Sequence, residues 1–355
     1  MDIYDRGYGR SGAGAEQFTF PERFAPAIRG GLPYQEMVRA YKQYRVFLNV
    51  NSVADSPTMF SRRVFELLAC GTPVVSTPAR GIEELLGREV VQIVSSPEEA
   101  QATLRRLLED EAWRERIGLA GQRLIAARHT YAHRLAEVAN RLGYQVAPPG
   151  LPRVSVITWT NAAADLSQLA ARISAQHGFT GDVVVVASLD EAKRAAQVAK
   201  QSVLGDRLLV LAEANASDGS LWWRDALAEA GGDYLALFSP TDHYGPNYLS
   251  DLMRAIAYTG ADAVGKAAHY AANGKGGVDL VGDGQEYSFV ESVVPAAMVA
   301  RRELMAELGW PGDSLHDPAA LGRLAAAGAR VFAADRFSYV AGAAADADEA
   351  QATDI

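Results

Sequence analysis

Two kinds of apolar spacing alternate along the chain. Short runs rich in β-branched and other strand-favouring residues stand at 46–49, 73–77 and 90–94. Around them, apolar residues recur every three or four positions over 34–44, 59–69, 97–109, 111–128 and 131–142. The first spacing predicts buried strands and the second amphipathic helices. The alternation resumes further on, with strands expected at 154–158, 183–187 and 234–238 and helices at 164–176 and 248–258. Strands alternating with helices predict parallel sheets covered on both faces, so the expected fold class is α/β, repeated in two halves. Glycine-rich stretches at 274–277 and 282–284 read as hairpin turns or a loop.

Between the halves, Ala147-Pro148-Pro149-Gly150-Leu151-Pro152 sets three prolines and a glycine close together, which favours extended backbone over helix. It predicts a linker at 147–152 separating domains at 1–146 and 153–340, and the small, acidic residues 341–355 read as a disordered tail. A length of 355 residues suits two domains. The balance of 49% apolar and 22% charged residues excludes a largely disordered chain. Against 43 Asp and Glu there are 34 Lys and Arg, a net charge of -9, so no basic field draws in a phosphate backbone and no nucleic-acid partner is expected. A single cysteine, Cys70, excludes an internal disulfide and a multi-cysteine zinc site. No apolar stretch approaches the roughly 20 residues that span a bilayer, and the polar start MDIYDRGYGRSG lacks a signal core, so the expected compartment is the cytoplasm.

The most informative chemistry lies between residues 49 and 76. There a strand gives way to a polar loop, Ser56-Pro57 offers an N-cap and first helical position, and Gly71 with Pro73 offers a stop. The helix start then falls at the carboxyl edge of a parallel sheet, where unpaired N–H groups favour phosphate. Glu66 lies further along the helix, where a carboxylate can accept both hydroxyls of a ribose, and Arg62, one turn earlier, can offset diphosphate charge. Arg62 and Glu66 are also spaced as an ordinary surface helix pair.

The run FELLACGTPVVSTPARGIEELLG at 65–87, preceded by RGGLPYQEMVRAYKQYRVFLNVNS at 29–52, resembles the nucleotide-sugar-binding lobe of GT-B glycosyltransferases, most closely the group 1 type that includes CgeB-like proteins. This resemblance implies a partial GT-B C-terminal lobe with a Rossmann-like fold, Glu66 as ribose ligand, Ser61 and Arg62 on the phosphate-facing turn, and Gly71-Thr72 closing the pocket. Many relatives carry a second glutamate where this chain has Thr58. It also implies a chain that begins inside that lobe, without the acceptor lobe, which makes the first domain alone a poor catalyst.

The second half, over about 153–340, resembles family 2 (GT-A) glycosyltransferases through the segments at 232–249, 260–270 and 326–340. The resemblance implies a second Rossmann-like domain whose sheet mouth holds a nucleotide, with Thr160 and Asn161 ending one strand and Asp190 following another as donor-binding candidates. Such domains hold Mg²⁺ or Mn²⁺ with an acidic cluster, because these ions take several hard oxygen ligands. Here the stretch reads Ser239-Pro240-Thr241-Asp242, a degenerate motif in which Asp242 remains as metal ligand or as a solvated loop aspartate. Asp317 falls at the position of the catalytic base, and Asp317-Pro318 is equally a helix start. Trp222-Trp223 reads as core. The resemblances together imply a glycosyltransferase of hexosyltransferase type. It would use a UDP- or GDP-sugar donor, invert the transferred sugar in the second domain, and act on an unknown acceptor. The alternative is an inactive scaffold that pairs with an active transferase, and a homodimer completing the cleft is a further expectation.

Overall fold

The computed structural model describes residues 1–5, 7–9, 20–160, 162–213, 219–309 and 322–342. The chain divides into two compact units, Met1–Pro148 and Pro149–Ile355, and the proline-rich stretch straddles the division. No described helix is long and apolar enough to cross a membrane.

In the first unit, β1 (Ile3–Tyr4) runs parallel to β2 (Ile28–Gly30). Next come α1 (Tyr34–Gln43), β3 (Phe47–Asn49), α2 (Arg63–Ala69), β4 (Val74–Ser76), α3 (Arg80–Leu85) and β5 (Val91–Ile93). The unit closes with α4 (Pro97–Glu109), α5 (Glu111–Arg128) and α6 (Tyr131–Arg141). Strands β3, β4 and β5 form one parallel sheet in that order, with Phe47 opposite Val74 and Val74 opposite Val91. Helix starts obey local chemistry. The Ser96 hydroxyl accepts from the Glu99 amide at 3.1 Å, Pro97 sits in the first turn, and Asp110 caps α5 through the Trp113 amide at 2.9 Å. Val64, Leu67 and Leu68 of α2 pack with Ile82, Val91 and Ile125 in the core of this unit.

Helix α2 is shorter than its sequence suggests, starting at Arg63 instead of near Met59. The Ser56 hydroxyl accepts from the amides of Thr58 and Met59, closing a turn and not a helix. The carbonyls of Ala54 and Ser56 are already committed to the amides of Arg80 and Gly81, at 2.8 and 3.1 Å. With those acceptors taken, the chain folds onto the start of α3 before it coils. At its far end α2 stops at Gly71, whose φ of +74° is the left-handed conformation expected of a C-cap. There α5 approaches so closely that a β-carbon on Gly118 would lie 2.3 Å from the Gly71 carbonyl oxygen. Helix α2 is thereby fixed by backbone contact.

The second unit is built on β6 (Val154–Thr160), α7 (Ala163–Ser174), β7 (Val183–Ser188), α8 (Ala192–Gln201), β8 (Leu208–Glu213), α9 (Gly219–Glu229) and β9 (Tyr234–Phe238). Strands β9, β6, β7 and β8 are parallel neighbours, a Rossmann-like arrangement. The chain continues through β10 (His243–Tyr244), α10 (Tyr248–Thr259), β11 (Ala263–Gly265), β12 (His269–Ala272), β13 (Val278–Val281), β14 (Ser288–Val290) and β15 (Met298–Arg301). It ends with α11 (Arg302–Leu308), α12 (Gly322–Ala326), β16 (Val331–Ala333) and β17 (Tyr339–Ala341). Eight strands join one sheet in the order β14-β16-β11-β15-β9-β6-β7-β8, and β10-β17-β12-β13 form a smaller one. The hairpin of β12 and β13 turns at the first glycine-rich stretch. Residues of β6 and β7 point alternately into two cores. Val154, Val156, Val183 and Val185 meet α7, α8 and α10, while Ile157, Val184 and Val186 meet Trp222, Trp223 and Met305. The two tryptophans are core residues in an edge-to-face pair. Ala341, expected in the tail, belongs to β17, and residues 343–355 lie outside the described residues.

Candidate functional site

At the carboxyl edge of the first unit's sheet, a side-chain network pins the loop that leaves β3. Asn49 Nδ2 and Asn51 Nδ2 each donate to Ser76 Oγ at 3.0 Å, and Asn51 Nδ2 also reaches the Thr77 carbonyl at 2.8 Å. The loop then delivers Ser61 and Arg62 to the start of α2. Glu66, in its first turn, is the focus of three donors. The Tyr34 hydroxyl and Arg62 Nε both donate to Oε1 at 2.9 Å, and the Tyr41 hydroxyl reaches Oε2 at 3.3 Å. The Glu66 side chain stays 20% exposed and that of Arg62 65% exposed. The hydrogen bond to the carboxylate pushes the Tyr34 phenol above its ordinary pKa, while Tyr41 is raised first by burial and then by Glu66. Glu66 likewise holds the Arg62 guanidinium protonated more firmly.

Of the residues singled out in the sequence, Arg62 and Glu66 are one turn apart at the start of α2 and Ser61 immediately precedes Arg62, with Ser61 and Arg62 exposed. Gly71 and Thr72 sit at the opposite end of α2, about 7 Å or more along its axis from Glu66. Thr72 is buried there, and its hydroxyl donates to the Tyr41 carbonyl at 2.6 Å. It therefore reaches Glu66 only by anchoring the helix that carries Tyr41. The tyrosines were not singled out in the sequence. Their signal was available, since Tyr34 and Tyr41 stand seven apart on α1 and share a face. Cys70 is half-buried, and burial pushes its thiol up, away from nucleophilic use.

Behind α2, the ring of Phe65 contacts His129 at the end of α5, with centroids 5.6 Å apart, and Arg134 donates to His129 Nδ1. Burial first, then the Arg134 charge, lowers the His129 pKa below its ordinary value. Between the two pKa values the unfolded chain binds the proton and the folded chain does not, so stability rises with pH there. This contribution is complete above about pH 6.5 and is lost as pH falls through the lowered value. The unfolding midpoint of the first unit is expected to drop between pH 7 and pH 5 in wild type and to drop less in His129→Gln. Parallel midpoint–pH curves for the two proteins would remove His129 from that dependence.

In the second unit, Thr160 is the last residue of β6 and Asp190 follows the carboxyl end of the neighbouring strand β7. Thr160 is buried and its hydroxyl closes a local turn, donating to the Ala162 carbonyl at 2.9 Å and accepting from its amide at 3.1 Å. Asp190 is exposed. Asn161 and Asp317 lie outside the described residues.

Asp242 differs most from expectation. It is not a solvated loop aspartate but is 0% exposed. Tyr339 donates to Oδ2 at 2.8 Å, and the Gly342 amide and the Thr241 hydroxyl donate to Oδ1 at 2.9 and 3.2 Å. Pairing of β10 with β17, His243 opposite Val340, brings these partners to it. Burial and the Asp242 charge push Tyr244, Tyr248 and Tyr339 well above ordinary tyrosine values. Mg²⁺ or Mn²⁺ takes about six oxygen ligands. Here Asp242 has both oxygens committed, and among the described residues no group of three or more His, Cys, Asp or Glu could hold a metal. The described donors around Asp242 do not fit the ion. Sequence reasoning also passed over a buried ion pair, Lys266 Nζ to Asp335 Oδ1 at 2.9 Å, although Lys266 stands as a lone charge inside an apolar run.

Residues 9–140 match the family model described as glycosyl transferase-like. The matched span contains the Glu66 cluster. The chain is also similar to solved structures. TarS of S. aureus is 17% identical over 53% of this chain and 36% of its own, with a TM-score of 0.39. A mannosyltransferase from Pyrobaculum calidifontis, PcManGT, in complex with GDP-Man and Mn²⁺, is 19% identical over 61% of this chain and 66% of its own, at a TM-score of 0.43. The 1–349 portion of TarS in complex with UDP-GlcNAc is 17% identical over 53% of this chain and 58% of its own, at 0.41. The chain spans less than two thirds of each of these three structures. No curated protein matches the chain.

Proposed function

We propose that the chain uses a nucleoside-diphosphate sugar as glycosyl donor, with the ribose on Glu66 in the first unit and the diphosphate beside Ser61 and Arg62. The observation that carries this reading is the Glu66 carboxylate. It is reachable from solvent and is held by donors of which two, Tyr34 and Arg62, are themselves exposed. A carboxylate so placed can exchange those donors for the two hydroxyls of a ribose, and the match at 9–140 supports a glycosyltransferase setting. Gly71 and Thr72 support the site by fixing α2 and Tyr41. In the second unit, Thr160, Asn161 and Asp190 remain the proposed donor-side residues. Asp317 is the proposed base of an inverting transfer to an acceptor hydroxyl, and Asp317→Asn tests it by loss of turnover.

The nucleotide sugars named for the similar structures, GDP-Man and UDP-GlcNAc, supply the probes. Calorimetry with UDP, GDP and these two sugars is expected to show binding by wild type. Glu66→Ala should weaken it about tenfold or more, the usual loss for hydrogen bonds to a charged group. Equal affinity in the two proteins rejects the reading. The burial of Asp242 favours a second one, in which the second unit is a non-catalytic scaffold paired with an active transferase or with another copy of this chain. That reading predicts nucleotide binding without turnover of any donor.

A further inference from the structure

We propose that Arg62 is a displaceable occupant of the nucleoside site, and that the face of Tyr34 it covers receives the nucleobase once a diphosphate draws the guanidinium away. This rests on the reading of Glu66 as ribose ligand. In the free protein Arg62 does two things at once. Its Nε takes a lone pair of Glu66 Oε1, and its guanidinium carbon lies 5.6 Å from the centroid of the Tyr34 ring. The same carboxylate oxygen receives the Tyr34 hydroxyl, so ring, carboxylate and guanidinium form one contiguous cluster. Tyr34 is 58% exposed, and Tyr131, at the start of α6, lies beside Arg62 and is 76% exposed. Large aromatic rings held open to water around a paired carboxylate and guanidinium match the parts of one ligand. A ring face takes a planar base, a carboxylate takes a diol, and a guanidinium takes phosphate.

The arrangement makes the site selective. Each contact Arg62 makes in the free protein is weak, because exposed ion pairs and exposed cation–π contacts are screened by water. A nucleoside must break both contacts and gives Arg62 nothing in return. A nucleoside diphosphate breaks the same two and offers the guanidinium a doubly charged partner with bidentate geometry. Arg62 thus discriminates between two ligands that share base and ribose. Tyr34 supplies stacking area that does not depend on its hydroxyl.

The test is calorimetry on the full chain with uridine, guanosine, UDP and GDP. Arg62→Ala is expected to tighten nucleoside binding about threefold, since a weak competitor has gone. The same change should weaken diphosphate binding about tenfold or more. Tyr34→Ala should weaken both ligands about tenfold, while Tyr34→Phe, which keeps the ring, stays within about threefold of wild type. Both side chains are exposed, so thermal midpoints close to wild type are expected for all three variants. Nucleoside binding that weakens in Arg62→Ala, or is unchanged in Tyr34→Ala, overturns the inference while leaving Glu66 as ribose ligand. A wild-type chain that binds none of the four ligands overturns the proposed function itself.

Discussion

Replacing Lys266 by alanine is expected to lower the stability of the second unit by about 3–5 kcal/mol, the usual cost of stranding one member of a buried ion pair. Lys266 follows β11 and Asp335 follows β16, two parallel strands in register at Gly265 and Ala333. The side chains are 0% and 5% exposed, and Asp335 Oδ1 also accepts from the Phe337 amide at 2.9 Å. Without the ammonium group, that carboxylate keeps its buried position and loses its counter-charge. Such a pair is costly to break and of little net value to have, because desolvation offsets most of the attraction. The double variant Lys266→Met with Asp335→Leu should therefore recover most of the loss. Urea unfolding of the single and double variants measures both. A loss below about 1 kcal/mol in Lys266→Ala would mean that water reaches the pair.

Asp242→Ala is expected to cost about 2–4 kcal/mol, because it leaves the buried Tyr339 hydroxyl without its acceptor and takes away the partner of the Gly342 amide. For a unit of this size that corresponds to a fall of roughly 5–15 °C in thermal midpoint. Asp242→Asn keeps the volume and one acceptor oxygen and should lose about half as much. The assignment is to structure, so neither change should alter any effect of Mn²⁺ on nucleotide binding. An Asp242→Asn protein that melts like wild type but loses a Mn²⁺ response would restore the carboxylate to metal binding.

The α/β class and the long helices were legible because local signals agree with burial. Helices α4 and α5 occupy the expected ranges, each opened by a side-chain cap that the sequence displays. Strands β6, β7 and β9 were equally plain, being apolar on both faces. Helix α8 has a weak sequence signal because it buries small side chains, Ala195 and Ala199, which make a faint apolar stripe. The sequence signal places the start of α2 too early because Ser56-Pro57 is a good cap signal, and only the tertiary bonds from Arg80 and Gly81 divert the chain. Around Glu66, the pairing with Arg62 could be read from a spacing of four, whereas the approach of Tyr34 depends on how α1 packs on α2. The burial of Asp242 was illegible for the same reason on a larger scale: its partner Tyr339 lies 97 residues further along the chain.

The position of β17 between β10 and β12 has a practical consequence for anyone trimming this protein. A fragment cut after residue 337 would remove an interior strand of the smaller sheet, exposing two edges at once, and would strip Asp242 of two of its donors. Truncations meant to isolate the second unit should therefore retain Gly342, and shorter ones are expected to collect as insoluble material.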